Sequence, residues 1–372
     1  MRDVLVAVCG LTPQVVTETL WALHHRTPPI HPAEIWILTT QEGAASCRTK
    51  LLGKTGALAR FVHEYRPKPV PRCPASHVIV LKGADGKPLE DVRSERDNQA
   101  VANQIAAFIQ QQTERPDVRL HCSVAGGRKT MGVLLASALQ LFGREDDRLY
   151  HVLVPPEFES LDGFFFPPRR PGWVTGRDGR RLNTGQARIE LAELPYVRLR
   201  GLLPAQPRRT IGQFSALVET TNRRLRLLQD PEPVSLTARD AGLRIGDRIV
   251  TLSPTQTALY RALARTKLEH CTRHDLRTCG DCTDCYVTFT KVTWETTRRV
   301  LAERAGRPVL AEGSDEKDIA NQFRSLISKL NNKLDSAVGL DGTENPYRVR
   351  SAGPRGETAY GLALDKTKIS VE

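Results

Sequence analysis

The stretch 118–143, VRLHCSVAGGRKTMGVLLASALQLFG, decides the fold. Its first part, VRLHCSVAGG (118–127), is an apolar β-type run, and KTMGVLLASALQLFG (129–143) carries apolar residues at helical spacing. Between them stand Gly126, Gly127, Arg128, Lys129 and Thr130. A strand that turns into a helix through two glycines lets the main chain approach a ligand closely, and the helix start offers free N–H groups and a positive dipole end. Arg128 and Lys129 add charge-assisted hydrogen bonds at the same spot, so the turn is expected to hold a phosphodiester; a plain tight turn is the structural alternative.

Working outward, the same unit recurs. DVLVAVCG (3–10) reads as a strand followed by the helical TPQVVTETLWALHHR, EIWILTT (34–40) as a strand before a helical stretch near 44–63, and HVIVLKG (77–83) as a strand before the helix 97–113. RLYHVLVPP (148–156) is a further strand. Strands alternating with helices predict an α/β domain with a mostly parallel, Rossmann-like sheet covered on both faces. Open sheets of this kind bind ligands at their carboxyl edge, so the loops after the first and fourth strands, CGLTPQ and AGGRKT, are expected side by side. On the first loop Thr12 and Gln14 bring a hydroxyl and an amide next to Gly10, and Pro13 suits a first helical turn.

The 372 residues allow two or three domains, and 40% hydrophobic residues are ordinary for a globular protein. No run of 18 apolar residues occurs, and MRDVLVAVCGLTPQ lacks a signal-peptide layout, so a cytoplasmic protein with no membrane partner is expected. A net charge of +12 favours a polyanionic ligand.

From 155 to about 209 proline and arginine become frequent, which reads as an irregular extension and linker with one more strand pair near RIELAELPYVRL. An amphipathic helix is expected at 211–229. The expected division is therefore 1–165, 166–230 and 231–372. The last part opens with short strands in VSLTARDAGLRIGDRIVTL, continues with a helix from Ser253-Pro254 and another at 315–335, and ends in YRVRSAGPRGETAYGLAL, two strands around a turn. Helices followed by a basic hairpin predict a winged helix-turn-helix-like α+β domain, in which Arg324, Lys329, Lys333, Arg348, Arg350 and Arg355 could touch DNA phosphates.

Of eight cysteines, Cys271, Cys279, Cys282 and Cys285 crowd into a Cys-rich insertion at 271–285, with His274 among them. That spacing suits a structural zinc without a catalytic role, although two x2 spacings also resemble part of an iron–sulfur ligand run. Just upstream, Arg265 and His270 stand in an R-x4-H arrangement.

VLVAVCGLTPQVVTETLWAL, PLEDVRSERDN, CSVAGGRKTMGVLLASALQLFGREDDRLYHVLVPPEFE and CGDCTDC together resemble the CRISPR-associated proteins with an N-terminal Rossmann-like CARF domain, which senses cyclic oligoadenylates. The resemblance implies a homodimer whose paired loops surround one cyclic RNA ring, in type III CRISPR antiviral defence. It also implies either ring sensing or ring cleavage, with a loop-one hydroxyl and the loop-four lysine as catalytic groups. Those positions are Thr12 and Lys129 in this chain. Gly10, Gln14, Ser123, Gly126, Gly127, Arg128 and Thr130 would bind the ring. Asp91, Arg93 and Asn98 would read an adenine edge or close over it. Cleavage would need no metal cofactor, because the ribose 2′-OH can attack its own phosphate once the oxygens are held in line and the charge is stabilised. Two alternatives remain open here: a ligand-switched winged-helix regulator, and a ring-activated ribonuclease of the HEPN kind, which R-x4-H resembles.

Overall fold

The structure, a computed structural model, describes residues 1–159, 161–203, 213–237, 242–272, 282–288, 316–340, 342, 345–354 and 357–372. The chain divides into two compact units, Met1–Val218 and Glu219–Glu372.

In the first unit, β1 (Arg2–Cys9), β2 (Glu34–Thr39), β3 (Val78–Val80), β4 (Val118–Ser123) and β5 (Arg148–Leu153) pair in parallel in the order β3-β2-β1-β4-β5. The central strand shows why the sheet is covered on both sides. Val4, Val6 and Val8 pack with α4 (Glu95–Thr113) and α5 (Lys129–Phe142), whereas Leu5, Ala7 and Cys9 pack with α1 (Gln14–His24) and α3 (Ala57–Tyr65). Successive strand side chains point to opposite faces, so an uninterrupted apolar run must be buried on both. The predicted helix near 44–63 is instead a short α2 (Gln41–Ser46), a π-helical turn (Cys47–Leu51) and α3. The break falls at Gly53, with φ +91, and at Gly56, where any Cβ would strike the Leu51 and Leu52 carbonyls.

The extension after 155 is not a linker. Phe158, Leu161 and Phe164 are buried against Ala22 and Val152, and Phe165 and Phe166 join the core beneath α1 and α3. Each buried phenylalanine contributes about 1.5–3 kcal/mol relative to exposure. The extension carries the small hairpin β6 (Trp173–Thr175) and β7 (Arg181–Asn183), then β8 (Glu190–Glu193), which adds to the sheet antiparallel to β5. The boundaries expected at 165 and 230 therefore give way to one at 218, because aromatic anchors and an edge strand hold 166–203 to the first unit. That boundary lies within α6 (Phe214–Gln229).

The second unit has a sheet β11-β10-β9-β15, built from β9 (Val234–Leu236), β10 (Gly242–Ile245), β11 (Arg248–Thr251) and β15 (Ile369–Val371). The last of these runs parallel to β9, which the local sequence did not foretell. α7 (Pro254–His270) starts in a capping box: the Ser253 hydroxyl accepts from Gln256 N–H, and the Gln256 side chain accepts from Ser253 N–H. Leu259, Tyr260 and Leu263 of α7 share a core with Phe323, Ile327, Leu330 and Leu334 of α8 (Glu316–Val338). The expected terminal hairpin forms between β13 (Val349–Ala352) and β14 (Ala359–Leu362), with β12 (Val287–Thr288) on its far edge. No helix among the described residues is long and apolar enough to cross a membrane.

Candidate functional site

β1 and β4 are direct neighbours, with Ala7 opposite Ser123, yet their helices α1 and α5 lie on opposite faces of the sheet. The loops leaving them diverge and leave a crevice at the carboxyl edge. The two turns touch through their backbones. A Cβ on Gly10 would lie 3.1 Å from Gly127 Cα, and one on Gly126 would lie 2.8 Å from the Val8 carbonyl oxygen. Gly127 adopts φ +75, the left-handed region that glycine enters without strain. The glycines are thus required first by the close approach of loop four to β1.

A cavity of about 310 Å³ opens where the loops meet, lined by Gly10, Leu11, Thr12, Thr40, Glu42, Glu90, Asp91, Gly127, Arg128 and Met131. Thr12 of the first loop and Arg128 of the fourth share this wall. Asp91, in the segment after β3, reaches across to loop four. Arg128 Nε donates to Asp91 Oδ1 at 2.8 Å, and a second guanidinium nitrogen donates to Oδ2. Arg93 Nε adds a longer contact to Oδ2 at 3.4 Å. The Arg128 hydrogen bonds hold the Asp91 carboxyl well below the usual carboxylate range. Lys129 and Thr130 are exposed in the first turn of α5, whose N-cap, Arg128, provides no side-chain acceptor and whose first turn has no acidic residue. The positive helix end is left for a ligand or water.

Other expected residues are placed differently. Lys129 is exposed beside the cavity rather than on its wall. Gln14 is buried, its Nε2 donating to the Leu161 carbonyl at 3.4 Å, and Ser123 is buried with its hydroxyl 3.3 Å from that of Thr19. Both face the packing beneath α1 because helix and strand side chains at those positions point into the layer, not out of the edge. Asn98 lies in α4 with Oδ1 buried and without a hydrogen bond to any described residue. Five lining residues were missed: Leu11, Thr40, Glu42, Glu90 and Met131. Thr40 and Glu42 follow β2, which neighbours β1, so the strand order alone could have nominated them. They also change the electrostatics. Three carboxylates and one guanidinium line the cavity, so its wall carries more negative than positive groups.

In the second unit, Cys271 and Cys285 are buried and Cys282 is half-buried, while Cys279, His274 and Arg355 lie outside the described residues. Lys267 Nζ donates to the Leu362 carbonyl at 2.8 Å and approaches Cys285 Sγ at 3.7 Å; burial pushes the Cys285 thiol up. Among the described residues no group of three or more His, Cys, Asp or Glu is arranged to hold a metal ion. Arg265 and His270 are exposed on α7, which packs against β14 and β15; a unit with two such sheets differs from an all-helical nuclease. Of the residues expected at DNA, Arg348 pairs with Asp335 at 3.1 Å, Lys333 donates to the Thr251 carbonyl at 3.1 Å and Arg324 to Asn321 at 2.7 Å. Arg350 is half-buried in β13, and Lys329 is exposed on α8.

Fold and edge together define a doubly wound α/β domain whose crevice sits at the strand-order reversal, where such sheets bind ligands. Residues 12–226 match the family described as CRISPR-associated protein NE0113 (Cas_NE0113), and the chain belongs to that family. Among solved structures, Enterococcus italicus Csm6 bound to cyclic hexa-2'-fluoro-hexa-dAMP matches at 13% identity and TM-score 0.26, over 42% of this chain and 34% of that one. This chain therefore spans about a third of that protein. No curated protein matches the sequence.

Proposed function

We propose that the first unit binds a cyclic oligoadenylate at the carboxyl edge of its sheet, as part of a homodimer in type III CRISPR defence, and cleaves it without a metal. The observation that carries this reading is the meeting of two turns, with Thr12 and Arg128 on one cavity wall and Lys129 exposed at the adjoining α5 start. A ring of ribose phosphates presents anionic and hydroxyl groups in alternation. The α5 N-terminus with Lys129 and Thr130 suits a phosphodiester, and Glu42 and Glu90 suit the hydrogen-bond donors of ribose hydroxyls and adenine amines.

In the reaction, the 2′-OH attacks the adjacent phosphorus and gives up its proton to water, the bond to the 5′-oxygen breaks and that oxygen leaves as a hydroxyl after taking a proton from water, and a 2′,3′-cyclic phosphate forms. Lys129 stabilises charge on the phosphoryl oxygens and Thr12 orients the attacking or leaving oxygen. Leu11 and Val133, 62% and 65% exposed on loop one and α5, flank the site and favour its closure by a second copy.

The test is incubation of pure protein with cyclic tetra- or hexa-adenylate and excess chelator, followed by separation of products. Linear fragments ending in 2′,3′-cyclic phosphate are expected. An intact ring after prolonged incubation at high enzyme removes the cleavage step, and absence of ring binding by calorimetry removes the reading altogether.

A further inference from the structure

A second, strongly cationic pocket lies elsewhere on the first unit. Its volume is about 930 Å³ and its wall carries Lys54, Arg60, Arg66, Arg169 and Arg170, with Glu64 as the single carboxylate. These cations come from three separate segments: the turn before α3, α3 with its C-cap, and the extension after β5. Several arginines of this unit pair with a carboxylate, among them Arg2, Arg26, Arg115, Arg119, Arg128, Arg144 and Arg148. By contrast Lys54, Arg60, Arg66 and Arg170 make no salt bridge with a described residue.

Several features build this wall. Glu64 accepts from the Arg169 backbone N–H, tying the extension to α3, so the one carboxylate acts as scaffold. The guanidinium of Arg60 stands over the Phe165 ring and that of Arg169 over the Tyr65 ring, each at 5.4 Å. Stacking on aromatic faces fixes the plane of an arginine and leaves its N–H edge free. Arg66 holds φ 49 at the C-cap of α3, where glycine is the easier residue. Like charges gathered without counter-charges repel one another, and a bound polyanion relieves that repulsion.

We infer that this pocket is a binding site for the phosphate backbone of a nucleic acid, distinct from the cavity at the sheet edge. The wall has no large apolar side chain to anchor a protein partner, since its remaining residues are Thr55, Ala59 and His63. The aromatic rings of Phe165 and Tyr65 are covered by arginines, so bases do not stack there and binding is independent of sequence.

The experiment titrates the full chain into fluorescein-labelled oligouridylate, reading anisotropy across a salt series. The double variant Arg60→Glu/Arg170→Glu is compared with the charge-matched Lys82→Glu/Lys87→Glu, both exposed in another part of the unit. The first is expected to weaken binding about tenfold or more at low salt and to reduce the log–log salt slope by about 1.4, two phosphate contacts at 0.7 each. The second leaves both nearly unchanged. An unchanged affinity in the first variant, or an equal loss in the second, overturns the site. Tighter binding of an oligoglutamate of equal charge overturns nucleic acid as its ligand. Unchanged melting temperatures and cyclic oligoadenylate binding confirm that the fold and the other site are intact, so failure here does not touch the proposed ring site.

Discussion

Asp91 and Arg128 are joined side by side, two guanidinium nitrogens on two carboxylate oxygens, across the gap between the segment after β3 and the start of α5. The pair sits on the cavity wall, so the cation nearest to an incoming phosphate already has an anionic partner within the chain. A phosphodiester must either add to this pair or displace Asp91 from it. Asp91→Asn is expected to bind cyclic oligoadenylate about tenfold more tightly, the worth of one charge-assisted hydrogen bond. Calorimetry measures it. A weaker complex would mean that Asp91 holds Arg128 in its working position.

Catalysis separates from binding at Lys129. Lys129→Ala is expected to slow ring cleavage about 100-fold, as removal of one charge-stabilising donor does elsewhere. Thr12→Ala is expected to lose rate with a smaller change in affinity. Single-turnover rates and ring affinities of both variants check this, and unaltered rates would exclude the pair from the chemistry.

Gly126 is required by geometry. Gly126→Ala would push a Cβ to 2.8 Å from the Val8 carbonyl oxygen and 3.2 Å from Cys9 Cα, backbone atoms of a central strand that cannot yield cheaply. A loss of about 1–3 kcal/mol in urea unfolding is expected. Gly172→Ala, with nothing within 4 Å of the added carbon, is the neutral comparison.

Glu18 provides a pH signature. It is buried in α1 with Oε1 unpartnered, and burial, with Glu159 adding to it, pushes its carboxyl up to about 8. Its folded value lies above the unfolded one, so the native state binds the extra proton between roughly pH 4.3 and 8 and stability falls with rising pH across that window. The slope is at most about 1.4 kcal/mol per pH unit. Glu18→Gln is expected to melt higher than the parent at about pH 8 and near it at about pH 5, with a flatter stability profile. An unchanged profile would show that Glu18 is ionised in the fold.

The helix start of the second unit offers a simpler check. Ser253→Ala removes the side-chain half of the α7 capping box and is expected to cost about 1 kcal/mol in denaturant unfolding of that unit.

Much of this was visible in the chain itself. The alternation of β-type runs with helical periods in 3–153 named the parallel sheet, and the Gly126–Gly127 turn after β4 pointed to the carboxyl edge where the cavity opens, because period and turn chemistry are written in adjacent residues. Gln14 and Ser123 misled because residue type says nothing of which way a side chain turns at a strand end or helix start.

What folding alone decided concerns residues far apart in sequence. The Pro- and Arg-rich stretch after 155 looked like a linker, yet Phe158, Phe164, Phe165 and Phe166 bury themselves under α1 and α3 and carry β8 onto the sheet. The same packing brings Arg169 and Arg170 beside Arg60 and Arg66, and sets Glu42, Glu90 and Asp91 beside Arg128. Burial free energy depends on which apolar faces meet, and charge complementarity on which groups end up within a few ångströms; neither is a property of neighbours along the chain.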